Sequence, residues 1–402
     1  MSRLKIAYVI GESAGQDDYS SGVSGFVARA LQQYVGEVDT ISPAGAPWWL
    51  QKMVGAIAWA SVLFSGAEYA GNQSLLKAWY ASRVLQHRLR EGQYDFICVT
   101  DKGSGAWHLK TPIPMISLSD TTFRLNDEEE EMRGQRRRMS KFSRWEGNRM
   151  QGRFLRGGLA VVFASQWAAR SALSDYKVPA GRIFVLPPGG RIAEVPELAT
   201  IRKKFDNHQL TLLFYGQDWE SKGGPIALNT LASLQEVYGM DARLIICGCT
   251  PPEAARQQPG VVVFSSLDKN NAEDYKTFTG FLSEAHFLIQ PSRSDVTLPV
   301  ACEGNAYGVP VITTETGGIP DIVQDGVNGY CLPYHSDGRM YSLLISELFR
   351  DQERYRGLVE SSRKRYDERL NWGSWSQRFK EIYDKAISGL NHNENSTLNS
   401  GS

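Results

Sequence analysis

An alternation that runs through the chain twice constrains the fold more than any other feature. Short apolar runs, closed by glycine, proline or a polar cluster, are separated by amphipathic stretches of helical length. The first series opens with LKIAYVIG (4–11) and continues through EVDTI (37–41), YDFICVT (94–100), PMISL (114–118), GLAVVFAS (158–165) and RIFVLPP (182–188). A strand that is apolar along its length must be covered on both faces, so these runs read as parallel strands between helix layers. One covering helix is expected from Val23 to about Tyr34, with Val27, Ala30 and Leu31 on its inner stripe. At PPGGR (187–191) the chemistry changes to a Pro/Gly linker, followed by a polar stretch to about residue 209. The alternation then restarts with TLLFYG (211–216), a helix over 225–238, ARLIICG (242–248), VVVFSSL (261–267), a helix near 272–283 and HFLIQPS (286–292). Two doubly wound, Rossmann-like α/β domains follow, with the boundary near 188–208. In such a pair a ligand is expected in the cleft between the halves, outside the carboxyl ends of the strands.

Composition narrows the function classes. At 402 residues, 42% hydrophobic and 22% charged, the chain has the make-up of a soluble enzyme of two domains. Lys plus Arg and Asp plus Glu are both 44, so no global field recruits nucleic acid. The five cysteines, Cys98, Cys247, Cys249, Cys302 and Cys331, sit mostly in apolar runs and read as buried small hydrophobes of a reducing compartment. No His/Cys cluster completes a metal site around Cys247 and Cys249, so no metal is expected. The N-terminus runs straight into a strand, without a signal peptide. No window approaches the ~18 apolar residues of a spanning helix. A cytoplasmic protein, or one peripheral on the inner face of the membrane, is expected. The tail NHNENSTLNSGS (391–402) is polar and expected to be disordered.

The chemistry-bearing residues fall just after strands. GESAGQDDYSSGVSG (11–25) is a Gly/Ser-rich loop ending at a helix start, suited to a phosphate or a sugar hydroxyl; an ordinary βα loop is the plain alternative. YGQDWESKGG (215–224) sets Lys222 on a glycine-rich turn before a helix, placed to neutralise a diphosphate. RSDVTLPVACEG (293–304) carries Asp295 and Glu303, eight positions apart, which either grip a polyol or serve as a helix cap and a solvated acid. In CEGNAYGVPVITTETGGIPDIV (302–323) a short helix over 301–307 is stopped by Gly308, a buried strand spans 311–314, and Gly317-Gly318 leads into a helix over 319–323. That helix start would direct free N–H groups at an anion.

Taken in order, these motifs resemble the family 4 retaining glycosyltransferases of the GT-B fold. There a glycine-rich N-terminal loop is followed by G-R-x4-K-G, E-x7-E, a G-x-P-V-I strand and a GG-x-P-E-I turn. The corresponding residues are Gly216-Gln217, Lys222-Gly223, Asp295-x7-Glu303, Gly308 to Ile312 and Gly317 to Asp321. The segment 163–189 is similar to the end of the family's N-terminal domain, and the likeness is strongest over 210–335. The resemblance implies an acceptor domain over 1–188, a nucleotide-sugar donor domain over 189–370, and a helix over 371–390 crossing back to the first domain. It implies that Lys222 binds the donor diphosphate, that Asp295 meets the donor sugar, and that Glu303 holds the ribose. Gly216 and Gln217 would line the donor site, and amides around Thr297, Leu298 and Val300 would meet phosphate and sugar. Gly22 would match a loop glycine, with Ser21 replacing its partner, and Asp120 would contact the transferred sugar or else cap a helix. The implied reaction is transfer from a UDP- or GDP-sugar to a hydroxyl acceptor in glycan, glycolipid or cell-surface polysaccharide synthesis, with no required cofactor.

Two departures bear on that reading. Gln217 replaces the family arginine, which removes one positive charge from the diphosphate site, and Asp295 is one methylene shorter than glutamate. A non-catalytic sugar-nucleotide-binding partner subunit is therefore the alternative. A nicotinamide oxidoreductase is disfavoured because the first βα turn lacks a compact GxGxxG. Finally, WWLQKMVGAIAWASVLF (48–64) is rich in Trp and aliphatics and 132–156 is strongly basic, so peripheral membrane contact through the N-terminal domain is expected, against the alternatives of a core helix and a solvated helix.

Overall fold

A computed structural model describes residues 3–11, 23–43, 45–100, 104–132 and 139–399. The chain divides into two compact units, one of Met1–Pro187 with Trp375–Ser402 and one of Pro188–Ser374. The first holds strands β1 (Leu4–Val9), β2 (Gly36–Ile41), β3 (Phe96–Thr100), β4 (Met115–Ser119), β5 (Ala160–Phe163) and β6 (Ile183–Val185). They form one parallel sheet in the order β2-β1-β3-β4-β5-β6. The apolar runs explain the layering: Ile6 to Val9, Phe96 to Val99 and Ala160 to Phe163 are buried on both sheet faces. Helix Val23–Tyr34 turns Val27, Ala30 and Leu31 inward. Helices Lys141–Gly157 and Gln166–Ser174 start at serine caps, Ser140 accepting from Ser143 N at 3.2 Å and Ser165 from Ala168 N at 3.3 Å.

The final helix, Trp372–Asn399, belongs from Trp375 onward to this first unit. Trp375 stacks on Phe379 at 5.1 Å, and Phe379 and Tyr383 approach Phe96 at 6.1 and 4.7 Å. The helix runs on through most of the polar tail that composition marks as disordered. Once nucleated by its apolar stripe, a helix gains one hydrogen bond for each residue added. Residues 400–402 lie outside the described residues.

The second unit holds β7 (Leu210–Tyr215), β8 (Ala242–Cys247), β9 (Val261–Phe264), β10 (Phe287–Gln290), β11 (Val311–Thr314) and β12 (Gly329–Leu332), all parallel, in the order β12-β11-β10-β7-β8-β9. Strand order reverses between β7 and β10, so the loops after these two strands diverge and leave a crevice at their carboxyl ends. The short helix before β11 spans Pro299–Ala306, two residues earlier than expected because Pro299 sits in its first turn. The helix expected over 319–323 is a single 3₁₀ turn, Ile319–Asp321. Asn328 accounts for the stop: its Oδ1 accepts from Gln324 N at 2.7 Å and its Nδ2 donates to Ile322 O at 2.9 Å, taking groups a continuing helix would use. No helix among the described residues is long and apolar enough to cross a membrane.

Candidate functional site

The loop after β7 enters helix Gly224–Glu236 through Gly223, at φ +78°. A Cβ on Gly223 would lie 2.0 Å from the Pro291 carbonyl oxygen, so only glycine lets this loop cross the one after β10. The crossing brings Lys222 Nζ to 2.6 Å from Asp295 Oδ1, while Ser292 Oγ donates to Asp295 Oδ2 at 2.7 Å. Asp295 therefore faces a lysine and a serine and does not cap the helix after it, whose N-cap position, Leu298, has no side-chain cap bond. Gly317, at φ +52°, passes over the same point; a Cβ there would meet the Asp295 carbonyl oxygen at 1.9 Å. Loops after β7, β10 and β11 thus converge on one lysine–aspartate pair at the point where strand order reverses.

Glu303 lies one shell deeper, on helix Pro299–Ala306, and is 1% exposed. The solvated reading of this acid is corrected by its burial. Lys269 Nζ donates to its Oε2 at 2.6 Å, and Arg191 Nε stands 3.8 Å from Oε1. Oε1 makes no hydrogen bond among the described residues. Lys269 is held between the rings of Tyr215 and Phe278, at 4.0 and 3.8 Å from their centroids. Burial pushes its ammonium pKa below the ordinary lysine value, with Glu303 pulling in the opposite direction. The same burial pushes the Tyr215 phenol up to about 12.

The remaining expected residues are less tightly framed. Gly216 donates its N–H to Cys247 O at 3.0 Å, continuing the ladder past β7, and Gln217 is exposed. Thr297 is half-buried and Leu298 is buried. Pro299 has no N–H, so the amides of this turn are those of Thr297, Leu298 and Val300. Arg293 does not stand in for the missing arginine in this arrangement: its guanidinium donates to the carbonyls of Tyr334 and of Ser336, the latter at 3.3 Å. Asp120 follows β4 in the first unit and is exposed. The nearby helix Phe123–Met132 takes side-chain acceptors from Thr122, at 3.4 Å from Leu125 N, and from Gln151. Gly22 and Ser21 lie outside the described residues. Among the described residues no group of three His, Cys, Asp or Glu side chains is placed to hold a metal ion. Burial raises the Cys247 thiol to about 12, as suits a core residue.

Sequence reasoning did not find Lys269, Arg191 or Ser292. Lys269 sits in the polar string SLDKNNA, where a lysine reads as solvated; only the fold places it between two rings. Chemically, the site offers an accessible ammonium for an anion and two oriented carboxylates for hydroxyls.

Two parallel, doubly wound units of this order define the GT-B class of architecture. Across 96% of this chain and 100% of the other, the fold is similar to a sucrose-phosphate synthase of Thermosynechococcus elongatus, with a TM-score of 0.67 and 16% identity. It is likewise similar to the Anabaena protein HepE solved in complex with UDP and glucose, with a TM-score of 0.59 and 13% identity over 95% of this chain and 100% of that one. Residues 199–365 match the family described as glycosyl transferases group 1. A D-inositol 3-phosphate glycosyltransferase of Thermobispora bispora is 24% identical over 233 residues, which are 54% of each chain. The chain thus spans about half the length of that curated relative.

Proposed function

We propose that the chain is a retaining glycosyltransferase moving a sugar from a UDP- or GDP-linked donor to a hydroxyl of a glycan, glycolipid or cell-surface polysaccharide. The observation that carries this reading is the Lys222–Asp295 pair at the strand-order reversal of the second unit, 2.6 Å apart and framed by two glycines that nothing larger can replace. Breaking an anomeric bond puts negative charge on the departing diphosphate and positive character on the sugar. Lys222 meets the former as a fixed cation. Its release from Asp295 to the diphosphate leaves that carboxylate to accept from donor sugar hydroxyls. Glu303, with one oxygen held by Lys269 and the other without a hydrogen bond among the described residues, accepts from the ribose. Gly216, Gln217, Thr297, Leu298 and Gly22 line the donor, while Asp120 in the first unit contacts the transferred sugar.

A non-catalytic partner subunit is the second reading. Gln217 offers an exposed neutral amide where a cation would help, and the charge of Lys222 is already matched by Asp295. Product analysis of the isolated protein with a panel of UDP-, GDP- and ADP-sugars separates the two. Slow donor hydrolysis that Lys222→Ala abolishes supports the enzyme, and saturable nucleotide binding without turnover supports the subunit. Peripheral contact of the first unit with the inner face of a membrane completes the proposal.

A further inference from the structure

Helix Trp48–Ser65 is mostly apolar over 18 residues, yet only Leu50 and Val54 are buried. Phe64 is 85% exposed and Trp59 67%, so the alternative of a core helix is corrected. Two neighbouring helices bury one face and also expose aromatic side chains. Leu75–Leu89 exposes Leu76, Trp79 and then Arg83; Lys141–Gly157 exposes Phe142, Trp145 and then Arg149 and Arg153. Three tryptophans carry a cation over the ring: Lys52 at 5.1 Å from Trp48, Arg83 at 5.2 Å from Trp79 and Arg149 at 5.4 Å from Trp145. Across the three helices the single acid is Glu146, buried and accepting from Leu75 N at 3.3 Å. Ser143 Oγ accepts from Ala70 N at 2.9 Å, tying the third helix to the segment between the other two.

Between Trp48–Ser65 and the segment 139–144 lies a groove of about 800 Å³. Ile57, Ala60, Phe64, Tyr69, Met139 and Phe142 give it an apolar wall. Phe142 stacks on Tyr69 at 6.2 Å and on Trp145 at 5.9 Å, so the wall continues into the exposed aromatic face. Lys141 also lines the groove, as does Arg144, which is paired with Asp127 at 2.9 Å and with Glu131.

We propose that these three helices rest on an anionic bilayer, and that the groove admits one hydrocarbon chain of an anionic lipid from it. This rests on the membrane contact proposed above and adds the lipid class and the seat of its chain. Charge complementarity selects the occupant: apolar side chains backed by cations, without an exposed acid on these helices, match acyl chains below negative headgroups. A second copy docked through this face would oppose like cations across a two-fold axis.

The full chain is tested with two probes. Flotation with vesicles of phosphatidylcholine alone, or with added phosphatidylglycerol, reads the bilayer contact. Dodecyl phosphate below its micelle concentration, titrated by tryptophan fluorescence, reads the groove without a bilayer. The expected results are flotation only with phosphatidylglycerol and saturable dodecyl phosphate binding. Ala60→Trp, which fills the groove, should weaken the latter at least tenfold, and Phe64→Ala, at a largely exposed position on the groove wall that spares the fold, several-fold. Unchanged dodecyl phosphate binding in Ala60→Trp, or none in the wild type, overturns the groove even if vesicles float. Absence of flotation overturns the bilayer contact, whatever the titration shows. Dimerisation of the wild type that Phe64→Ala abolishes overturns both.

Discussion

The two units share a parallel doubly wound sheet and deploy lysine and arginine in opposite ways. In the second, Lys222 and Lys269 are turned onto carboxylates at 2.6 Å, enclosed by crossing loops or by rings. In the first, Lys52, Arg83 and Arg149 lie over exposed tryptophans and face solvent. Enclosed charge in a low-dielectric setting is geometrically selective and weakly screened, whereas exposed charge is diffuse and fades within a Debye length of ~8 Å at physiological salt. One topology therefore yields a site that selects a small anion by position and a surface that selects an extended anion by sign. Raising salt from roughly 0.05 M to about 0.5 M should strip the protein from phosphatidylglycerol vesicles while leaving nucleoside diphosphate affinity within a few-fold. Parallel losses of both would break the distinction.

The largest effect is expected at Lys222. Lys222→Ala should lower transfer by 10²–10³-fold, about 3–4 kcal/mol, the cost typical of losing one positioned charge stabiliser in a transition state. Melting should fall only modestly, because Asp295, itself buried, keeps its hydrogen bond from Ser292. Near wild-type transfer by the folded variant would remove the enclosed cation from the mechanism.

Deeper in the same unit, acid should act on the fold itself. Burial pushes His286 down to about 4, next to Lys204, whose ammonium burial pushes to about 7. His286 Nδ1 accepts from Thr211 N at 3.0 Å, and Lys204 Nζ donates to the carbonyls of Ala285 and Tyr307. Between about 4 and 6.5 the unfolded histidine binds a proton that the folded one does not, so stability rises with pH across that window, by roughly 3 kcal/mol at most. Lys204 adds a second rise between about 7 and 10.5. Denaturant melts of the full chain from pH 4 to 7 should show the first slope, flattened in His286→Gln. An unchanged slope in that variant would assign the acid sensitivity elsewhere.

Glu303 and Lys269 separate fold from function. Glu303→Gln should weaken nucleoside diphosphate binding about tenfold, by removing an ionised acceptor from the proposed ribose seat. Lys269→Met keeps the stem between Tyr215 and Phe278 but leaves buried Glu303 only the longer contact with Arg191 at 3.8 Å, so it should cost stability by about 3 kcal/mol. Calorimetric titration and melts on both variants check this. A Lys269→Met protein as stable as wild type would mean that Arg191 alone suffices to hold Glu303.

Most of this architecture is legible in the sequence, because strands buried on both faces must be continuously apolar, as LKIAYV and TLLFYG are. The exceptions are physical. β12, GYCL, is short and half-exposed, and carries no β-branched residue to mark it. The 319–323 helix fails on Asn328, five residues beyond it, whose side chain takes the backbone groups of the turn. Lys222 and Asp295 were legible from the strand–turn position each occupies, but their mutual contact was not, since it depends on Gly223 passing Pro291. Lys269 was invisible for the same reason: its environment comes from residues 215 and 278, and its own neighbours are polar.

The smallest effect tests a cation missing beside Lys222 in the second unit. Gln217 follows Gly216 at the end of β7, is exposed, and stands five residues before Lys222 on the same loop. Arg293 does not substitute, since its guanidinium is spent on the carbonyls of Tyr334 and Ser336. Gln217→Arg should therefore add a charge-assisted contact to a bound diphosphate worth about 1 kcal/mol, a five- to tenfold gain in nucleoside diphosphate affinity. Its exposed position makes that gain salt-sensitive, unlike the contribution of Lys222. Vesicle flotation should not move, because the added arginine belongs to the other unit. If affinity instead stays constant across salt, position 217 does not face the diphosphate, and Lys222 is the cation that meets it.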